Sequence, residues 1–167
     1  AHDVVARMDS DDVSEPQRFA VQLPIVEAGA DLVGSGLIEF ADDASVEVGR
    51  RTPPTDPRDI AVRARFADPF NHPTVVMRRE LVRRVGGYGD FALMEDYHLW
   101  AKMLLAGARV ANVAEPLVRY RIGAGAYARR GGLGQLRAEL GLQRRFRAMG
   151  FTTWPQFARN VLVRGGY

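Results

Sequence analysis

Four acids crowd one short stretch, "ARMDSDDVSEPQRF" at residues 6–19: Asp9, Asp11, Asp12 and Glu15. Carboxylates this close raise one another's pKa and oppose folding unless a cation sits among them. Asp9 and Asp11 form a D-x-D pair, and at the end of an extended strand residues two apart point the same way. Oxygen ligands of this kind suit Mg²⁺ or Mn²⁺, and Mg²⁺ commonly binds through one or two carboxylates plus substrate phosphates. A cation held there would neutralise charge developing on a diphosphate leaving group. The other reading is a solvated turn, with Asp11 or Asp12 assisting the cap of the next helix. A calcium loop is excluded, because its next ligand and glycine positions are taken by Val13 and Ser14.

Glu95-Asp96 is a second acidic site, opening the segment "EDYHLWAKMLLAG". Asp96 there can cap a helix. At a cleft it can instead serve as general base toward a substrate hydroxyl. His72, ahead of Pro73, either orients such a hydroxyl or is a hydrogen-bonded structural histidine. Trp100 reads as core or as a platform for a sugar ring, and His98, on the opposite helix face, reads as solvent-facing.

These residues need a frame. "DVVARM" (3–8) reads as a short buried strand running into the acidic cluster. A helix should follow, with Ser14 as cap, Gln17 completing a capping box and Pro16 in the first turn. Pro24 should break or kink it. "DLVGSGLIEF" (31–40) and "VEV" (46–48) form a hairpin, and 49–59, with three prolines, is a loop. A helix near 59–67, a strand at 74–78 and a short helix at 79–85 lead to a turn at Gly86 and Gly87. The next helix buries Tyr97, Trp100, Ala101, Leu104 and Leu105 and stops at Gly107. "ARVANV" and "PLVRYRI" are two strands. A glycine-containing stretch (123–134), where Arg129 and Arg130 could close over a diphosphate, precedes a basic helix at 135–149 and a last one near 155–164. Alternating strands and helices predict an α/β layered domain.

The 167 residues suffice for one domain with a real core, and the proportions, 47% hydrophobic and 26% charged, are those of a folded globular chain. There is no cysteine, which excludes disulfides and thiolate metal sites. No apolar run is as long as a membrane span. Net charge is +3, with every cationic residue but Lys102 an arginine. From Arg119 onward Glu139 is the single acid. That basic tail can meet phosphates, lipid headgroups or nucleic acid, or be a solvated helix face. It lacks the aromatic interleaving of a nucleic-acid reader, so no nucleic-acid partner is expected.

"ARMDSDDVSEPQRFAVQ", "NHPTVVMRRELVRRVGGYGDFALMEDYHLWAKML" and "PLVRYRI" together, in order and spacing, resemble the family 2 glycosyltransferases with a GT-A fold. The resemblance covers roughly residues 3–122. It implies a GT-A-like, Rossmann-type mixed sheet flanked by helices, with 1–122 as a partial transferase domain and 123–167 as a loop and basic helical extension. It maps Asp9 and Asp11 to the ligands of Mn²⁺ or Mg²⁺ on a nucleotide-sugar diphosphate, with Asp12 adjacent. Asp96 becomes the base, with Glu95, His72 and Trp100 lining the acceptor side and Arg119 and Arg121 meeting the leaving diphosphate. The reaction implied is a single inverting displacement onto a glycan or lipid-linked acceptor. The family's first nucleotide-binding strand and helix have no counterpart, so the chain is expected to be N-terminally truncated and weak or inactive alone. The Q-x-x-R-W signature of processive synthases is missing, since "GLQRRF" (141–146) lacks its spacing and tryptophan, which implies single-sugar transfer.

A rival class is a non-catalytic interaction module. Its exposed sheet edge would pair with a second copy or another fragment, and its basic helices, with Arg137, Arg144, Arg145, Arg147, Trp154 and Phe157, would rest on an anionic membrane. The location expected is cytoplasmic, including the inner face of the plasma membrane.

Overall fold

In the computed structural model, which describes residues 2–89, 93–123 and 133–165, six strands form one mixed sheet flanked by helices. The order of elements is β1 (Val4–Ala6), β2 (Val13–Ser14), α1 (Arg18–Glu27), β3 (Leu32–Phe40), β4 (Gly49–Arg51), α2 (Pro57–Arg63), a 3₁₀ turn (His72–Thr74), β5 (Val76–Arg78), α3 (Arg79–Arg84), α4 (Glu95–Leu105), β6 (Val110–Arg121), α5 (Leu133–Ala148) and α6 (Trp154–Gly165). The strands lie in the order β1-β5-β3-β6-β2, and β4 pairs with the far end of β3.

Strand β3 is buried along its whole length, as a strand covered on both faces must be. Alternation sends its side chains to two different cores. Leu32 joins Ile60, Tyr97, Leu99, Trp100, Met103, Leu142 and Phe146 on one side, whereas Val33 meets Val26 of α1 on the other. Met77 and Val76 of β5 divide in the same way. The larger core takes in α5 through Leu142 and Phe146, so the basic C-terminal helices pack against the same domain. Asn160 of α6 fastens them by donating to the Arg65 carbonyl (2.7 Å) and to Gln143 (2.9 Å).

Several local expectations are corrected. The strand at 3–8 shortens to Val4–Ala6 and is largely exposed, because it is an outer strand that pairs only with β5. Ser14 caps nothing. It pairs with Val118 as part of β2, and the helix starts later, behind Gln17, which makes no side-chain cap. Pro24 does not end α1; the carbonyl left without its donor belongs to Ala20, on the exposed face, where water can satisfy it. The strand paired with β3 is Gly49–Arg51, not 46–48. The two strands expected between 108 and 122 are one, β6, which runs parallel to β3 and absorbs Pro116 in an irregular register opposite Gly36. His98, expected in solvent, is buried at 8% exposure, and Leu105, expected inside, is exposed. The stretch around Arg129 and Arg130 lies outside the described residues. Helix α3, helix α4 and the left-handed glycines at 86, 87 and 107 are where the periodicity and turn chemistry put them.

Candidate active site

The acidic stretch folds as a turn rather than a strand end: the Asp12 N–H donates to the Asp9 carbonyl (3.3 Å). Alternation therefore does not align Asp9 with Asp11, which is exposed. The chain's own guanidinium groups supply much of the missing counter-charge. Arg7 binds the Asp9 carboxylate at 2.5 Å. Arg18, fully buried beneath the turn, donates to the Arg7 carbonyl and to Gln22. Arg121 donates its backbone N–H to Asp12 Oδ1 (2.9 Å) and its Nε to the Asp11 carbonyl (3.3 Å). Asp12 is only 8% exposed. Burial raises its pKa above the usual carboxylate value; the Arg121 N–H opposes this, and the charges of Asp9 and Asp11 add to it. Arg119 pairs with Glu15 (2.7 Å) and donates to the Ala44 carbonyl. The two β6 arginines thus hold the acidic turn and the loop after β3.

A cavity of about 470 Å³ opens beside this turn, with Arg7, Asp9, Asn71, His72, Asp96 and Tyr120 in its wall. The sheet brings these together from distant sequence. Pairing of β1 with β5, continued by the Arg7 N–H to the Val75 carbonyl (2.9 Å), sets the acidic stretch beside the 3₁₀ turn. Thr74 fixes that turn, accepting from the Ser35 N–H and donating to the Asn71 carbonyl. Asn71 in turn donates to the Ser35 carbonyl. Asp96 arrives on the first turn of α4, behind Met94, which adopts φ 65°. A non-glycine residue in that left-handed region stores strain of about 1–3 kcal/mol, a feature that concentrates at working sites. Asp96 Oδ1 accepts from the Tyr97 N–H (2.7 Å).

His72 stands between Asp96 and Tyr88. Its Nδ1 lies 3.5 Å from Asp96 Oδ2 and its Nε2 3.0 Å from the Tyr88 hydroxyl. Burial pushes the His72 pKa below its ordinary value against the attraction of the Asp96 carboxylate, and burial likewise raises the Tyr88 phenol. Trp100 is fully buried, its edge against the His72 ring at 5.9 Å. It forms the wall behind His72 and offers no face to a sugar. Glu95 is half-buried and is not among the residues of the cavity wall.

The cavity thus joins Asp9, His72 and Asp96, and leaves Asp11, Asp12, Glu95, Arg119 and Arg121 out of its wall. Arg7, Asn71 and Tyr88 escaped the sequence reading. Arg7 lies inside the quoted acidic stretch, next but one to its partner Asp9, and the charge pattern there could have found it; Tyr88, in "GGYGDF", gains its partner only from the placing of His72. Among the described residues no group of three or more Asp, Glu or His could enclose a metal ion by itself. One or two carboxylates completed by phosphate oxygens remain compatible with Mg²⁺ or Mn²⁺.

No family model matches the chain. It is 38% identical over 145 residues, 86% of its length, to the amylovoran biosynthesis glycosyltransferase AmsE of Erwinia amylovora, covering 54% of that protein. It is 31% identical over 166 residues, 98% of its length, to the UDP-Gal:alpha-D-GlcNAc-diphosphoundecaprenol beta-1,3-galactosyltransferase of Escherichia coli, covering 60% of it. Among solved structures, the mannosyltransferase PcManGT from Pyrobaculum calidifontis, in complex with GDP-Man and Mn²⁺, matches 95% of the chain and 43% of its own at 17% identity, with a TM-score of 0.48. The chain is homologous to glycosyltransferases, and spans about half the length of the curated relatives it matches.

Proposed function

We propose that this chain carries the metal and acceptor side of a family 2-type glycosyltransferase that moves one sugar from a nucleotide-sugar donor to a hydroxyl of a glycan or lipid-linked acceptor, with inversion. The observation that carries this reading is the cavity in which Asp9 and Asp96 share one wall, on a chain similar to glycosyltransferases along most of its length. Asp96 is the base: it takes the acceptor proton as the oxygen attacks the anomeric carbon, opposite the departing diphosphate. Its Oδ1 is already anchored on the Tyr97 N–H, so Oδ2 is the oxygen that faces the work.

Asp9, the acid of the D-x-D pair that stands in the cavity wall, would hold Mn²⁺ or Mg²⁺ together with donor phosphate oxygens, the cation supplying charge stabilisation to the leaving group. Arg7, paired with Asp9 in the cavity wall, is the better-placed guanidinium for the diphosphate. Arg119 and Arg121 serve the same end indirectly, by holding the acidic turn. The test is Asp96→Asn in the active enzyme, with transfer followed by release of nucleoside diphosphate from a panel of UDP- and GDP-sugars. Loss of a positioned base lowers turnover by about 10²–10⁴-fold; undiminished turnover removes Asp96 from that role.

A further inference from the structure

We propose that His72 is a positioning residue for Asp96, presenting Nδ1–H to the carboxylate Oδ2 while its Nε2 accepts from the Tyr88 hydroxyl. The inference rests on the reading of Asp96 as base, but its central claim concerns which ring nitrogen carries the proton, and that can be observed without any substrate.

The geometry permits one neutral arrangement. If Nδ1 were bare, its lone pair would face the Asp96 oxygen at 3.5 Å, two electron-rich atoms with no proton between them. The proton therefore belongs on Nδ1, and a neutral imidazole then has only an acceptor at Nε2. Tyr88, 3.0 Å away, must donate. The ring has little freedom to do otherwise. It stands edge-on to Trp100 at 5.9 Å and tilted against Tyr88 at 5.7 Å. Its backbone is fixed by the Thr74–Asn71–Ser35 bonds and by Pro73.

This chain of contacts has a use. Oδ1 of Asp96 is tied to its own helix, so rotation of the carboxylate is governed at Oδ2, where His72 stands. The neutral ring, kept so by burial, orients that oxygen without placing a full positive charge against it, which would weaken it as a base. At 3.5 Å the contact is longer than a made hydrogen bond, as catalytic contacts often are before substrate binds. Tyr88, from the turn before α4, fixes the far end of the ring.

The decisive measurement is long-range ¹H–¹⁵N correlation of the imidazole groups in this chain at neutral pH, His72 being assigned by substitution. The expected result is an Nδ1–H tautomer for His72, against the Nε2–H form favoured by free histidine, reverting to Nε2–H in Asp96→Ala. An Nε2–H tautomer in the unaltered chain overturns the proposal. In the active enzyme, His72→Asn keeps an amide N–H near the Nδ1 position and His72→Gln keeps one near Nε2. The first is expected to retain kcat within about threefold and the second to lose about tenfold or more, with KM unchanged in both. Equal losses in the two variants also overturn it. If instead Asp96→Asn leaves turnover intact while the Nδ1–H tautomer is found, the base assignment fails and the contact stands.

Discussion

Asp12 occupies an odd position among its neighbours: it is the buried member of an acidic turn whose other members reach water. Its Oδ1 accepts from the Arg121 N–H, while Oδ2 is buried without a hydrogen-bond partner among the described residues. Burial raises its pKa, and the nearby guanidinium groups of Arg7 and Arg18 offset only part of that cost. Asp12→Asn keeps an acceptor for Arg121 and removes the charge; the expected outcome at pH 7 is unchanged or higher stability in urea denaturation. Asp12→Leu leaves the Arg121 N–H unanswered and should cost about 1–3 kcal/mol. A loss in Asp12→Asn as large as that in Asp12→Leu would assign the stabilisation to the charge rather than to the bond. The crowding of these acids was legible in sequence, since like charges in one stretch demand explanation wherever they lie. What relieves them was not. Arg7 and Arg18 are close in sequence, but Arg121 lies 109 residues beyond Asp12 and is brought to it by the pairing of β6 with β2, which no local pattern announces.

At the scale of elements, β3 and β6 form the sheet's central parallel pair, and their register slips on both sides of Gly36. A Cβ at Gly36 would fall 2.5 Å from the Ala114 carbonyl oxygen, a backbone atom that cannot swing aside. Gly36→Ala should therefore destabilise the domain by about 1–3 kcal/mol, measured as a drop in the denaturation midpoint without a change of slope. An unaltered midpoint would mean that β6 does not approach β3 so closely. This bulge also explains why one strand reads as two. Pro116 interrupts the ladder locally, and only the partner strand reveals that pairing resumes beyond it. Helices α3 and α4 were legible because their periodicity and glycine stops are contained within a dozen residues. The start of α1 was not, because Ser14, a good cap by type, is recruited by β6 into the sheet.

At the scale of the whole molecule, two imidazoles, His98 buried and His72 half-buried, tie stability to pH. Burial lowers the pKa of both His72 and His98, aided at His98 by Lys102 and Arg145. As pH falls through the ordinary histidine value near 6.5, the unfolded chain binds protons that the fold refuses, so stability declines until the folded-state values are passed. Asp12 works in the opposite sense further down, where its raised folded pKa makes the native state the one that gains a proton. Melts from pH 7.5 to 5.5 should show a falling Tm, with a shallower fall in His98→Gln, which cannot be charged. A level Tm in the unaltered chain would contradict the burial of these rings. The His98 environment escaped sequence reading because α5 packs on α4, with Phe146 against Tyr97 and Arg145 close enough to His98 to lower its pKa, and nothing within α4 itself announces that cover.

The pairing of β3 with β6 has a last consequence, in time rather than space. The neighbour that completes β3 begins at Val110, after β4, β5 and the three helices α2, α3 and α4 have emerged. Contacts between such remote stretches are slow to form, because the intervening chain must be gathered before they return any energy. A nascent polypeptide ending short of Val110 leaves β3, buried along its whole length in the finished fold, with an unzipped flank. Ribosome-bound chains of that length are therefore the ones that a chaperone should capture, and release from it should coincide with the appearance of the twelve residues of β6.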